Sequence, residues 1–403
     1  MLSQYDDDCP ITEEEMKQLT ETISTQDITT AANTINEYLK QQERVQLNIG
    51  VTGESGSGKS KFVNAFRGLG DEEEGSAKTG VVETTMQPEV YCHPKYKNVK
   101  LWDLPGIGTP NFKAQDYLKQ VEFDRYDFFI IIASDRFREC HTQLASEIMK
   151  MGKKFYFVRS KIDVAIDGEK KKKSFDKKKI LDTIRKDCEN GLRSIGLVDP
   201  VVFLISSSEL GSFDFDLLHE RIAKELPQHK RHVLLLSVPN ITLEINERKK
   251  KALKKRIQMV AFASACVAAL PVPGLSIAVD LTIIVNEIRT YCNAFGLDEK
   301  SLQNLCERSG KSIETLNSLM TSVLHKGLCT GSVLPMLSVA SFLVTEEVVE
   351  SVLAFIPILG SVVAGGLSYL TVSMMLKRAL NDIAEDARKV LMAVLETDLE
   401  KSN

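Results

Sequence analysis

The sequence predicts an α/β domain with a mostly parallel sheet and helices on both faces, together with a second, α-helical domain. Between residues 45 and 226, short apolar runs of strand length alternate with helical patterns, which is typical of a parallel sheet with helical crossovers. After residue 227 the strand alternation stops and helical patterns continue. Because 403 residues exceed the size of one ordinary core, we expect two domains.

The first predicted segment, residues 1–44, is polar and has helical spacing. Its apolar residues recur three and four positions apart between Ile28 and Leu39, and Asp27 is suited to cap the helix. We predict that this helix and the carboxyl-terminal half, residues 227–403, form one α-helical domain, with the α/β domain of residues 45–226 between them in the sequence.

The first predicted strand, residues 45–51, leads into the sequence G-E-S-G-S-G-K-S at residues 53–60. This is the phosphate-loop pattern G-x-x-x-x-G-K-[ST], and strand, loop and helix follow in the order that the motif requires. The backbone N–H groups of such a loop surround phosphates, its lysine reaches the β- and γ-phosphates, and its hydroxyl binds Mg²⁺. The sequence therefore predicts a nucleotide site with Lys59 on the phosphates and Ser60 on Mg²⁺.

A second apolar strand ends in the sequence D-x-x-G at residues 103–106. The carboxyl end of a parallel strand lies beside the phosphate loop, so we expect Asp103 to hold Mg²⁺ through water and the Gly106 N–H to contact the γ-phosphate. A switch threonine must supply another hydroxyl ligand for Mg²⁺. The sequence does not choose among the three candidates, Thr79, Thr84 and Thr85.

The choice of base is indicated by the sequence S-K-I-D at residues 160–163, which follows a strand and is close to the [N/T]-K-x-D signature of guanine-specific GTPases. The Asp163 carboxylate can accept hydrogen bonds from guanine N1–H and the 2-amino group, a pair of donors that adenine lacks. We expect the Lys161 stem to lie over the base. Serines that follow the last strand are expected near guanine O6. The predicted nucleotide-binding residues are Gly53, Glu54, Ser55, Gly56, Ser57, Gly58, Lys59, Ser60, Lys61, Ser160, Lys161, Asp163, Ser206 and Ser207.

The residue after D-x-x-G is Ile107, which cannot orient water as the glutamine of Ras-like enzymes does. Either hydrolysis is slow or another group supplies the polar contact. Glu83 is a candidate because a carboxylate can orient or deprotonate water, although an exposed loop acid is an equal alternative from the residues alone. The predicted catalytic residues are Glu83, Lys59 and Gly106.

Composition limits the remaining possibilities. The net charge of -4 and the pI near 6.0 argue against general nucleic-acid binding. Eight cysteines without a C-x-x-C pair are typical of reduced thiols, so we expect neither disulfides nor zinc. The amino terminus lacks a signal-peptide core, and Leu2 stands where N-myristoylation requires glycine, which predicts a cytoplasmic protein. The lysine-rich residues 168–179 are interpreted as a solvated loop.

Two uncharged stretches, residues 257–279 and 351–376, exceed the roughly 18 residues that suggest a membrane span. Both are interrupted by proline and glycine, which suits helical hairpins. Two alternatives remain open: core helices of a bundle, or shallow insertion in a bilayer. The basic residues at 249–256 favour a membrane slightly, since each contributes about 1 kcal/mol near anionic lipid, but they also fit the wet face of a helix.

Several segments resemble the immunity-related GTPases, the interferon-inducible p47-type proteins. These are G-V-V-E-T-T-M at 80–86, W-D-L-P-G-I-G at 102–108, Y-D-F-F-I-I-I at 126–132 and K-R-H at 230–232. The likeness is dense over residues 27–240. Residues 355–375 and 381–390 resemble the fish and cinema-like branches.

This resemblance implies a GTPase of the type with a lysine-bearing phosphate loop, which uses GTP with Mg²⁺ and forms homodimers or homo-oligomers through the nucleotide face. It also implies peripheral association with intracellular membranes, including pathogen vacuoles, and a role for Glu83 in activating water. The alternatives are a monomeric switch that needs an activating partner, and a low-turnover nucleotide-binding scaffold with a tissue-specific role.

Overall fold

The computed structural model describes residues 44–80, 85–107, 113–268, 275–321 and 363–402. The chain divides into two compact units, with one boundary between Leu226 and Pro227. Gln46–Leu226 forms the unit that contains the sheet, and the second unit is helical in its described part. The predicted amino-terminal helix falls on residues 1–44, of which 1–43 lie outside the described residues.

The sheet has six strands in the order β2-β3-β1-β4-β5-β6. Among the described strands, only β2 pairs antiparallel, with β3, so the prediction of a mostly parallel sheet is confirmed. All six residues of β4 are buried, because a central strand covered on both faces has no polar side. The strands are β1 Leu47–Glu54, β2 Glu89–Cys92, β3 Val99–Ile107, β4 Phe128–Ala133, β5 Lys154–Arg159 and β6 Val202–Leu204.

Six α-helices of this unit are described, and their apolar side chains pack in its core. Tyr117, Leu144 and Leu192 from three different helices share one hydrophobic core with β3, β4 and β5. Elsewhere Phe66 and Phe215 pack edge to face, with ring centroids 6.1 Å apart. The lysine-rich residues 170–179 are exposed. The helices of this unit are α1 Lys59–Phe66, α2 Ala114–Gln120, α3 Glu139–Lys150, α4 Ile162–Glu169, α5 Lys177–Arg193 and α6 Phe215–Glu225.

In the second unit, the three longest described helices, α8, α9 and α12, pack against one another. The described part of the first uncharged stretch belongs to α8, where Ile257, Val260 and Ala261 are buried. Its proline-glycine interruption at 269–274, and the second stretch as far as residue 362, lie outside the described residues. The helices are α7 Gln228–Ser237, α8 Leu243–Ala268, α9 Leu275–Phe295, α10 Glu299–Ser309, α11 Ile313–Leu319 and α12 Val363–Ser402.

The basic residues of α8 do not form a single wet face. Lys249 is fully buried, and Arg256 makes an ion pair of 2.9 Å with Glu287 of α9. Lys251 and Lys254 are exposed. Two of the six basic residues at 249–256 therefore take part in the packing of the unit. None of the described helices combines the length and the apolar composition that crossing a membrane requires.

Candidate nucleotide site

The phosphate loop connects β1 to α1, and two of its glycines are required by the backbone. Gly53 has a φ of 145°, and a Cβ at this position would lie 2.0 Å from the Ile132 carbonyl oxygen. Gly58 caps the start of α1 with a φ of 94°. Side chains rarely adopt such angles, so glycine is needed where the loop turns and where it approaches β4.

The loop opens onto a pocket of about 200 Å³. In the parallel register of β1 and β3, Gly53 lies opposite Gly106, which brings the D-x-x-G segment beside the phosphate loop. The pocket therefore combines residues that are far apart in the sequence, as the motifs predicted for parallel neighbouring strands. Its lining consists of Ser55, Gly56, Gly58, Lys59, Ser60, Lys61, Thr79, Gly80, Thr85, Gly106 and Lys161.

Lys59 lies in the first turn of α1 with only 7% of its surface exposed. Its Nζ donates hydrogen bonds to the carbonyl oxygens of Gly53, at 3.2 Å, and Glu54, at 2.9 Å. The Glu54 carbonyl also accepts the Ser57 N–H, which closes the loop. The ammonium group is thus held at the pocket by backbone oxygens of the loop itself.

Ser60, Asp103 and Thr85 meet at one carboxylate oxygen. Asp103 Oδ2 accepts hydrogen bonds from Ser60 Oγ, at 2.5 Å, and from Thr85 Oγ1, at 3.2 Å. Burial raises the pKa of Asp103, whereas the Ser60 hydrogen bond, the Lys59 charge and the Thr85 hydrogen bond lower it. Within the described residues, the buried Asp103 Oδ1 has no hydrogen-bond partner. Two hydroxyls and a carboxylate with an unsatisfied oxygen are hard oxygen ligands, a set that fits Mg²⁺.

The switch residues are only partly described. Thr79 is exposed at the pocket, and Thr85 is buried next to Asp103. Glu83 and Thr84 lie outside the described residues. Ile107 is 3% exposed and belongs to the hydrophobic core, so it presents no polar group to the pocket.

The residues predicted to read the base are distributed around the end of β5. Lys161 has a left-handed backbone, with a φ of 55°, and its Nζ donates to the Gly56 carbonyl at 2.8 Å. Ser160 is buried beneath the loop, with its Oγ 2.6 Å from the Ser57 carbonyl oxygen. Asp163 is half-buried in the first turn of α4. Ser206 is fully buried and accepts the Glu209 N–H, while Ser207 is half-buried.

The structure also reveals a polar cluster under the loop that sequence reasoning missed. The nearly buried Glu54 carboxylate contacts Arg138 Nη1 at 3.1 Å and Cys140 Sγ at 3.7 Å, and His141 Nε2 lies 3.8 Å away. Burial, followed by the Arg138 charge, lowers the pKa of His141 to about 4. Burial, followed by Glu54, raises the pKa of Cys140 to about 11.

Glu54, Cys140 and His141 are close enough together to suggest a metal site. However, His141 Nδ1 accepts the Arg138 N–H at 3.1 Å, so the proton of the neutral ring is on Nε2, which faces Glu54. A metal would need that proton to move to Nδ1, against the Arg138 donor. The arrangement therefore fits an anchor for the Glu54 carboxylate rather than a metal site.

Comparisons with known proteins agree over most of the chain. The profile of the interferon-inducible GTPase family matches residues 12–394. Interferon-inducible GTPase 5 of Rattus norvegicus is 43% identical over 96% of this chain and 83% of its own length. Interferon-gamma-inducible GTPase 10 of Mus musculus is 40% identical over 94% of this chain and 89% of its own length.

Solved structures are more distant. A GTP-binding protein of Sulfolobus solfataricus in complex with GDP is 21% identical, with a TM-score of 0.29 over 54% of this chain and 63% of that chain. A likeness at this level supports no argument about the site. The family profile and the relatives confirm the resemblance drawn from the motifs: this GTP hydrolase belongs to the interferon-inducible GTPase family.

Proposed function

We propose that this GTPase binds GTP with Mg²⁺ in the phosphate-loop pocket, self-assembles in the GTP state, and acts on intracellular membranes in cell-autonomous immunity. The observation that carries the proposal is the convergence of Lys59, Ser60 and Gly106 on one pocket, with Asp103 hydrogen-bonded to Ser60, while the neighbouring Ile107 is buried in the core. The convergence of these residues accounts for nucleotide binding. The burial of Ile107 accounts for the need for an additional activating group.

In this proposal Lys59 neutralises the β- and γ-phosphates, and Gly106 donates its N–H to the γ-phosphate. Ser60 would ligate Mg²⁺ directly, and Asp103 would do so through water. Bound Mg²⁺ supplies charge neutralisation and orients the phosphates. Thr85 is the best placed of the described threonines to act as the switch ligand, because its hydroxyl already shares Asp103 Oδ2 with Ser60.

Base recognition is assigned to the segment after β5. The Asp163 carboxylate accepts the two guanine donors, and the aliphatic stem of Lys161 covers the base. The Lys161 hydrogen bond to Gly56 supports this role, because it already ties the side chain to the phosphate loop. Ser206 and Ser207 belong to the proposed guanine O6 region. The Ser206 oxygen accepts the Glu209 N–H, which leaves the hydroxyl proton as a donor.

Self-assembly would supply the polar group that orients the attacking water, which Ile107 cannot provide. Ile107 is a hydrocarbon side chain in the core and cannot orient water. Glu83, brought into place by the pairing of two GTPase units across their nucleotide faces, would orient the attacking water. The exposed rim of the pocket supports this, since Ser55, Gly56 and Lys61 are accessible to a second copy.

Membrane action and an immune role are suggested by the family. The related proteins carry names such as interferon-inducible GTPase, and we propose that this chain is likewise induced by interferon and acts against vacuolar pathogens. Association with membranes would be peripheral, from the cytoplasm. Flotation with vesicles containing anionic lipid, in GTP and in GDP, tests this part separately from nucleotide chemistry.

The main test is GTP hydrolysis per molecule over a wide range of protein concentration, with ATP as the control nucleotide. We expect specific activity to rise with concentration for GTP alone, because only self-activation depends on a second copy. A flat, slow rate would favour a monomeric switch that needs an activating partner. Tight GTP binding with negligible turnover would favour a scaffold.

The role of Glu83 has its own test. Replacing a catalytic acid or base typically lowers kcat about 100-fold or more, so Glu83→Ala is expected to lose the rising activity but to keep GTP binding. Glu74→Ala, at an exposed acid of the same unit, is the matched control. Normal concentration-dependent hydrolysis by the Glu83→Ala protein would remove Glu83 from the mechanism.

A further inference from the structure

A buried hydroxyl bridges the phosphate-loop strand and the D-x-x-G segment. Tyr117 of α2 places its OH 2.7 Å from Thr52 Oγ1 on β1 and 3.0 Å from the Pro105 carbonyl oxygen on β3. Tyr117 is 6% exposed and Thr52 is fully buried. None of the sequence motifs includes either residue.

The direction of these hydrogen bonds follows from the groups involved. A carbonyl oxygen can only accept, so the single Tyr117 proton is donated to Pro105. The Thr52 hydroxyl then donates to the Tyr117 oxygen. Burial raises the pKa of Tyr117, which keeps the phenol protonated and able to donate. The bridge is a directed chain from β1 through α2 to β3.

This chain has a consequence for Gly106. The peptide bond between Pro105 and Gly106 is trans, and in a trans peptide the C=O and the following N–H point in opposite directions. A carbonyl held toward Tyr117 in the core therefore directs the Gly106 N–H to the other side of the strand. Gly106 lines the nucleotide pocket, whereas Tyr117 belongs to the core cluster.

We propose that Tyr117, supported by Thr52, is a positioning residue that orients the Pro105–Gly106 peptide for contact with a γ-phosphate and so sets the preference for GTP over GDP. This inference rests on the proposed role of Gly106. GDP lacks the γ-phosphate, so its affinity does not depend on the bridge. The loss of one hydrogen bond changes an equilibrium by about three- to tenfold.

The test compares two tyrosines of the same hydrophobic core. Tyr126 is 1% exposed and its hydroxyl donates to the Val121 carbonyl at 2.8 Å, away from the nucleotide pocket. Affinities for GDP and for a non-hydrolysable GTP analogue, both with Mg²⁺, are measured by calorimetry. We expect Tyr117→Phe to lower the ratio of analogue affinity to GDP affinity about three- to tenfold, and Tyr126→Phe to leave it unchanged.

A ratio that is unchanged in Tyr117→Phe, or changed equally in both variants, overturns the inference and leaves Tyr117 with a structural role only. If Tyr117→Phe does not fold, Thr52→Val decides in its place, because it removes the supporting donor, and Thr52→Ser should restore the parental ratio. A Lys59→Ala protein distinguishes failure of the proposed nucleotide site from failure of the Tyr117 inference. If Lys59→Ala keeps the parental affinity for the analogue, the proposed site is wrong. If Lys59→Ala loses that affinity but Tyr117→Phe keeps the parental ratio of analogue to GDP affinity, only the role of Tyr117 is wrong.

Discussion

The two units of this protein each contain a buried lysine whose ammonium group donates to two backbone carbonyls. Lys59 donates to Gly53 and Glu54 in the phosphate loop, and Lys249 donates to Val238, at 2.6 Å, and Ala294, at 2.5 Å, in the helical unit. The local chemistry is the same. The surroundings differ, since Lys59 borders a pocket of about 200 Å³, whereas Lys249 is fully enclosed by helices.

In the proposed function, this difference separates a ligand-binding charge from a structural one. In that proposal, phosphate oxygens replace the carbonyls around Lys59 when a nucleotide binds. The acceptors of Lys249 lie at the ends of helices, with Val238 at the C-cap of α7 and Ala294 near the end of α9. A cation at these positions satisfies terminal carbonyls and complements two helix dipoles.

The largest expected effect comes from Lys59→Ala. The variant should lose about 100- to 1,000-fold in affinity for a GTP analogue, because two charge-assisted hydrogen bonds to phosphate are worth about 3 to 4 kcal/mol together. The free energy of unfolding should change by less than about 1 kcal/mol, since water can reach the freed carbonyls. Calorimetric titration and chemical denaturation measure the two quantities.

The control for this variant is Lys150→Ala, at an exposed lysine of α3 that pairs with Glu147 on the same helix. It should leave both analogue affinity and unfolding unchanged. A Lys59→Ala protein that binds the analogue normally but unfolds easily would mean that Lys59 has a structural role and not a ligand-binding one.

Lys249→Met should destabilise the helical unit. This change leaves two buried carbonyls without their ammonium donor, and we expect the helical unit to lose about 2 to 4 kcal/mol of unfolding free energy. GTP-analogue affinity should be retained in the folded protein. Lys254→Met, at an exposed position of the same helix, is the matched control and should stay within about 0.5 kcal/mol of the parent.

An unchanged unfolding free energy in Lys249→Met would show that water or neighbouring groups satisfy the carbonyls, and the contrast between the two lysines would then disappear. Denaturation followed by a probe in each unit assigns the loss to the correct one. The two units are measured separately because two-state behaviour is not assured for a chain with two compact units.

The two lysines also explain how far the sequence alone could be interpreted. The position of Lys59 at the pocket is predictable because glycines on both sides and a preceding apolar strand restrict the loop to one geometry. In the sequence, Lys249 looks the same as Lys250 and Lys251. Only the packing of α8 with its neighbours decides which lysine is buried, so the sequence alone assigns all of these lysines to one solvated or membrane-facing cluster.

The same limit applies within the site. The motifs predicted the neighbours of the pocket because parallel strands bring their carboxyl ends together. They could not identify Tyr117 or His141, which lie on ordinary amphipathic helices and reach the loop through tertiary packing. Glu83 remains a prediction.

A smaller effect is expected for Glu287→Gln in the helical unit. Arg256 Nε and Nη2 lie 2.9 to 3.2 Å from the Glu287 carboxylate, and the side chains are 11% and 7% exposed. Glutamine retains one acceptor but removes the charge, so we expect a loss of about 2 kcal/mol in unfolding free energy.

The counterpart in the GTPase unit is Glu220→Gln, which breaks a solvent-accessible pair with Lys224. Solvent screens this pair, and the change should stay within about 0.5 kcal/mol. Equal losses in the two variants would mean that burial does not distinguish the ion pairs of the two units. Chemical denaturation of both proteins at the same ionic strength makes the comparison.

Asp163→Asn should change the nucleotide preference of the GTPase unit and leave the helical unit untouched. Asp163→Asn replaces one of two carboxylate acceptors with an amide donor, so GTP affinity should fall about 10- to 100-fold, the value of one lost charge-assisted hydrogen bond. Xanthine carries a carbonyl where guanine carries the 2-amino group, and the new amide can donate to that oxygen while the amide carbonyl still accepts N1–H. The variant should therefore prefer XTP to GTP, with unfolding of the helical unit unchanged.

Asp167→Asn, at an exposed position of the same helix, should keep the parental preference. If Asp163→Asn still selects GTP over XTP, base recognition must be assigned to other residues, and the GTPase unit would owe its specificity to groups that the motif does not contain.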